Sequence, residues 1–148
     1  MHQTFLDIAY QEALKAYKQG EVPVGAVLVK NNKIITKGHN QYLKKQCAIF
    51  HAEQFVILKA CKKLDNWRLD GCVLYSSLEP CLMCTGAIIQ SRISKIIFSA
   101  LDEKAGCILS QYSIINDKIL ATNLTYEYMP DKRSTELLKK FFKEKRRN

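Results

Sequence analysis

Two short stretches, roughly thirty residues apart, constrain this chain more than anything else in it: His51-Ala52-Glu53 and Leu78-Glu79-Pro80-Cys81-Leu82-Met83-Cys84. Cys81 and Cys84 are three positions apart, so at the start of a helix both sulfurs lie on one face and reach one ion. Pro80 marks that start, because proline suits the first helical turn, where its missing N–H costs nothing. The free amides and the dipole of such a helix end favour thiolate over thiol. His51 offers a third ligand. Two cysteines and one histidine make a tetrahedral zinc site with its fourth position open to water, the pattern of catalytic rather than structural zinc. Glu53, two residues past the histidine, then stands beside the metal as a non-ligand that shuttles protons.

Three plainer readings compete. The cysteines can form a redox Cys-x-x-Cys pair, belong to a structural zinc knuckle, or be buried small apolar residues. Cys47, four residues before His51, is the thiol that would close a four-ligand, non-catalytic site.

The 148 residues fit one domain, 1–148, long enough to bury a real core without help from a metal. A composition 47% hydrophobic and 25% charged is that of an ordinary globule. The N-terminus lacks a basic segment followed by an apolar one, and no apolar run approaches bilayer length, so the expectation is a cytoplasmic protein with no membrane partner. In that setting Cys47, Cys61, Cys72 and Cys107 read as reduced core residues, of which Cys47 alone is suspicious. Net charge is +9, and residues 132–148 hold eight basic side chains against Glu136 and Glu144, a net of +6. A basic face on one terminal element suits a polyanion, although a solvated helix end would look the same.

Apolar residues from Phe5 to Tyr17 recur near a 3.6 period and stop before Gly20, which predicts a helix over 4–19. Val24–Val29 is the continuous apolar run of a strand buried on both faces. Lys30-Asn31-Asn32-Lys33 turns it into a second strand at Ile34–Thr36. The loop 38–50 carries Asn40 and delivers His51 to a helix over 52–64. Cys72–Tyr75 and Lys95–Ser99 predict strands that flank the Pro80 helix, a span short enough to imply a parallel pair with a crossover. The cysteines then sit at the carboxyl end of a strand, where open α/β sheets bind ligands. Residues 105–121 are ambiguous, 123–128 alternate like a strand, and a last helix turns Leu137, Leu138, Phe141 and Phe142 to the core.

The order H-x-E…P-C-x-x-C is shared by the zinc-dependent nucleobase deaminases. Beyond it, Glu21–Val27, Gly38-His39-Asn40, the block through Ala87, Ser91-Arg92-Ile93 and Phe98–Gly106 resemble the bacterial tRNA-specific adenosine deaminases of the cytidine deaminase-like superfamily. That resemblance implies an α/β, three-layer αβα fold around a mixed five-stranded sheet, a homodimer and one zinc ion per chain. It also implies conversion of adenosine to inosine at the wobble position in the anticodon stem-loop of an arginine tRNA. Carried over by position, His51, Cys81 and Cys84 hold zinc and Glu53 is the catalytic proton shuttle. Asn40, Val22, Pro23 and Leu78 line the base pocket, amides near Ala52 and Cys81 steady the reacting centre, and Asp102 touches flanking RNA. Lys143, Lys145, Arg146 and Arg147 contact the RNA backbone.

The chain departs from that family at Cys47-Ala48-Ile49-Phe50, where Asp-Pro-Thr-Ala is usual, at Gln54 and at Leu101. The rivals are a deaminase of guanine or cytidylate, and a non-catalytic zinc protein closed by Cys47.

Overall fold

The computed structural model describes residues 1–147; Asn148 and the side chain of Arg147 lie outside the described residues. Ten elements follow in order: α1 His2–Lys18, β1 Gly25–Lys30, β2 Lys33–His39, α2 Tyr42–Lys45, α3 Ala52–Leu64, β3 Cys72–Ser76, α4 Leu82–Gln90, β4 Lys95–Phe98, β5 Thr125–Tyr128 and α5 Lys132–Arg147. The strands form one sheet in the order β2-β1-β3-β4-β5. β1 runs antiparallel to β2 and β3, while β3, β4 and β5 are mutually parallel. The crossover expected between β3 and β4 is present as α4.

Why the central strands lack an alternating pattern is visible in their packing. Val27, Val29, Tyr75 and Ile97 join Phe5, Leu6 and Ala9 of α1 on one face. Ala26, Leu28, Leu74, Ile96 and Phe98 join Ala52, Val56 and Ala60 of α3 and Ile88 of α4 on the other. With both faces covered, the strands are apolar almost throughout, and the buried Ser76 at the end of β3 is satisfied by donating to the Leu78 carbonyl. Asn31 and Asn32 take positive φ of 51° and 61°, the left-handed pair that a tight hairpin needs. Gly25 is required for another reason: a Cβ there would meet the α1 backbone at Ala9 and Ala13, so α1 lies almost on β1.

The last helix docks on the first. Arg133 of α5 reaches Asp7 at 2.6 Å, and the Tyr17 hydroxyl donates to Glu144 at 2.6 Å. Leu137, Leu138 and Phe141 are buried as expected, but Phe142 is 47% exposed. A helix stripe broad enough for Leu137, Leu138 and Phe141 has no room for the next position, which rotates 100° further round. Residues 105–121 settle as turns and one 3-10 turn at Ile114–Asn116. The loop before His51 contains the short α2, which sequence periodicity does not announce.

Candidate metal centre

Two helix N-termini converge at the carboxyl end of β3. His51 is the N-cap of α3 and Cys81 the N-cap of α4, both in extended conformation, while Cys84 lies in the first turn of α4. Pro80 therefore precedes the cap rather than opening the helix, which leaves the α4 amides directed at the cysteine sulfurs. His51 Nδ1 stands 3.7 Å from Cys81 Sγ and 3.6 Å from Cys84 Sγ. One donor atom from each of the three lies within 4.8 Å of the others, and among the described residues no further histidine, cysteine or carboxylate joins them. Cys47 is not in that set, and all six cysteines are free thiols.

The electrostatics suit a cation. Contact with Cys84, and then with His51, draws the Cys81 thiol down to about 4 against the effect of burial. Cys84 is pushed up, first by Cys81 and then by burial. The Cys81 contact also raises His51. One thiolate shared among three donors is a site in which a divalent ion completes the charge balance and takes both sulfurs as thiolates.

Glu53 stands beside this cluster in the first turn of α3, buried at 3% exposure. Burial lifts its carboxyl to about 7. Its Oε1 is buried with no partner, as is Thr85 Oγ1. An orphaned carboxylate oxygen against a His-Cys-Cys cluster is costly unless something polar belongs there. The donor set and the orphaned oxygen together fit zinc with a water beside it.

The expected pocket residues are distributed unevenly. Asn40 is buried, and its Oδ1 accepts the Ala52 amide at 2.8 Å, so that amide is already engaged. Pro23 is buried, and Val22 and Leu78 are partly buried against the core beneath the site. Asp102 caps its own turn, accepting from the Lys104 and Ala105 amides. Lys143, Lys145 and Arg146 are exposed along α5, and the Arg147 side chain lies outside the described residues.

Two supporting residues escape the sequence reading. Glu21, 1% exposed, accepts the Leu43 and Lys44 amides and so anchors α2 in the loop that presents His51. Glu79, also 1% exposed, accepts the amides of Asp102, Ile108, Leu109 and Ser110 and the Ser110 hydroxyl. It thereby ties the loop after β4 to the turn that holds Cys81. Gly106 is required there because a Cβ would strike the Glu79 carboxylate. A carboxylate placed between Leu78 and Pro80, two residues before Cys81, is the signal that could have found it.

With this geometry in place, likeness to known proteins becomes informative. Residues 1–100 match the family model described as the cytidine and deoxycytidylate deaminase zinc-binding region. The tRNA-specific adenosine deaminase of Aquifex aeolicus (strain VF5) is 45% identical over 144 residues, covering 97% of this chain and 95% of that protein. A structure from studies of A-to-I editing by tRNA:A34 deaminases superposes with a TM-score of 0.89 at 34% identity, covering 92% of this chain and 99% of that one. The guanine deaminase from Bacillus subtilis superposes with a TM-score of 0.65 at 41% identity, over 68% of this chain and 65% of the other. The chain thus belongs to the cytidine and deoxycytidylate deaminase zinc-binding family, and within it to the family of the tRNA-specific adenosine deaminases.

Proposed function

We propose that this chain deaminates adenosine to inosine at the wobble position of a tRNA, with an arginine tRNA as substrate and with His51, Cys81 and Cys84 holding zinc. The observation that carries it is the orphaned, buried Glu53 Oε1 beside a His-Cys-Cys set. Zinc bound there supplies the Lewis acidity that lets a water lose its proton near neutral pH. Glu53 would accept that proton at Oε1 and deliver it to N1 of adenine as the water oxygen adds at C6; it would then take the proton of the new C6 hydroxyl and pass it to the exocyclic amino group, so that C6=O forms, the C6–N bond breaks and ammonia leaves. Asn40 contributes in two ways. Its oxygen holds the α3 N-terminus through Ala52, and its Nδ2, without a partner among the described residues, is left to face a base. An unpaired anticodon adenine enters such a pocket without breaking a duplex, while Lys143, Lys145 and Arg146 of α5 hold backbone phosphates and Asp102 meets the flanking strand.

The homodimer belongs to the same proposal. Leu58 of α3 and Leu82 of α4, 47% and 60% exposed, are the apolar side chains next to the site that a second copy would cover. Among the described residues no helix is long and apolar enough to cross a membrane.

A guanine deaminase is the second reading, favoured by the 41% identity to the Bacillus subtilis enzyme. That likeness covers 68% of this chain, whereas the Aquifex aeolicus relative also follows the C-terminal part. The test is to treat an anticodon stem-loop bearing wobble adenosine, and in parallel free adenosine, guanine and cytidylate, with the zinc-loaded protein, and to identify products by mass spectrometry. Inosine in the RNA alone is expected, and deletion of residues 143–148 should weaken RNA binding. Rapid turnover of guanine or cytidylate with the stem-loop unmodified would reject the proposal.

A further inference from the structure

Basic charge is not confined to the C-terminal helix. Residues 30–63 contain eight lysines and one carboxylate, Glu53, which is buried at the metal centre, so this segment has a net charge of +7 against +9 for the whole chain. Folding gathers half of these lysines on one face. Lys37 on β2 and Lys59, Lys62 and Lys63 on α3 line a groove of about 730 Å³ with Ile34 and Ile35 in its wall. All four are exposed, and among the described residues none has a carboxylate within 4.0 Å.

Ordinary structural reasons account for part of this. β2 is an edge strand, and Lys59 Nζ and Lys63 Nζ donate to the carbonyls of Lys37 and Ile35 at 2.8 and 3.0 Å. They protect an edge that would otherwise pair with another chain. Lysine near a helix C-terminus also complements the dipole. Edge protection also suits Lys37, which stands on β2 itself, and the dipole suits Lys62, yet among the described residues neither side chain bonds a carbonyl of the edge. Lys59 and Lys63, and Lys59 and Lys62, are moreover like charges at i,i+4 and i,i+3 on one helix, an arrangement that destabilises the free protein. An anionic ligand would relieve it.

We propose that this β2–α3 groove is a second phosphate-binding surface, which holds the RNA backbone a short distance from the base being deaminated. The proposal rests on the RNA reading of the active site given above. Continuity with that site favours RNA over other polyanions. α3 carries Glu53 in its first turn and Lys59 to Lys63 six to ten residues later, about 9 to 15 Å along the same axis at ~1.5 Å per residue. A strand whose base enters at the α3 N-terminus therefore needs only a short stretch of backbone to reach the groove. The α5 lysines and arginines would hold a different part of the same RNA.

The test uses Lys62→Gln and Lys37→Gln/Lys62→Gln, which leave the Lys59 and Lys63 bonds to the edge strand in place, with Lys118→Gln as a one-charge control outside the groove. Binding of the zinc-loaded, full-length protein to an anticodon stem-loop is followed against salt. Each lost phosphate contact should flatten the log–log salt slope by about 0.7, so the double variant should lose about 1.4, with KM raised more than kcat is lowered. Zinc content and circular dichroism verify the fold. Wild type that binds and edits the stem-loop while both variants match Lys118→Gln would overturn this inference alone. Wild type that neither binds nor edits it would overturn the RNA reading as well. Loss of binding to phosphatidylserine vesicles in Lys62→Gln, with the RNA slope unchanged, would assign the groove to a membrane surface instead and overturn the proposal.

Discussion

Replacing Glu79 by alanine should uncouple the loop after β4 from the turn that holds Cys81. The Glu79 carboxylate takes four backbone amides and one hydroxyl, at distances up to 3.1 Å, with 1% of the residue exposed. Hydrogen bonds to a charged group contribute about 1.5–3 kcal/mol each, but five bonds to one acceptor do not add, and water would enter the truncated site. Each buried amide left without its acceptor costs about 1–3 kcal/mol before water relieves part of it, so a total of about 3–5 kcal/mol is expected. With a urea dependence of about 2 kcal/mol per molar, that lowers the unfolding midpoint by about 1.5–2.5 M. Trypsin should also cut at Lys104 faster than in wild type, because the amides flanking that turn lose their anchor. Glu79→Gln should fall between, since one oxygen can keep the Ile108, Leu109 and Ser110 amides while its NH2 faces the Asp102 amide. A midpoint shift of less than about 0.5 M in Glu79→Ala, with unchanged cleavage at Lys104, would refute the view that this carboxylate organises the loop.

Glu53→Ala should retain zinc and fold yet lose turnover by about two to four orders of magnitude; zinc loss on elemental analysis would make Glu53 a ligand instead. Cys47→Ser should leave zinc content and turnover within about a few-fold of wild type, and weakened zinc binding would revive the closed, four-ligand site. Glu12 responds to pH. Burial alone would raise it, yet hydrogen bonds from His39 and Lys15 hold it at about 2, below its ordinary 4.5. A depressed carboxylate gives stability that is full above the ordinary value and fades as pH falls from there toward about 2. Wild type should therefore exceed Glu12→Gln by about 2 kcal/mol near neutrality, after allowance for screening, and this margin should shrink at about pH 3. A margin independent of pH in urea titrations would contradict the assignment.

The metal donors and Glu53 are legible in the sequence because their chemistry demands both residue type and spacing. β1 and β3 are legible because burial on both sheet faces leaves a continuous apolar signal, and α4 because Pro80 and the spacing of Cys81 and Cys84 mark a helix start. Three features are not legible, each for a physical reason. Glu79 acts through amides 23 to 31 positions away, which no local pattern encodes. Phe142 follows three apolar positions but rotates out of the buried stripe. The lysine groove is assembled from β2 and α3, whose basic residues are scattered in the chain and meet only when the edge strand packs beside the helix.

Hydrolysis of a wobble adenosine at this site is tested most directly by running the reaction in oxygen-18 water. An anticodon stem-loop bearing wobble adenosine is incubated with the zinc-loaded chain, digested to nucleosides and weighed by mass spectrometry. The account predicts inosine carrying the heavy oxygen, formed by wild type and not by Glu53→Ala. Unlabelled inosine, or adenosine left intact while guanine is converted, would contradict it.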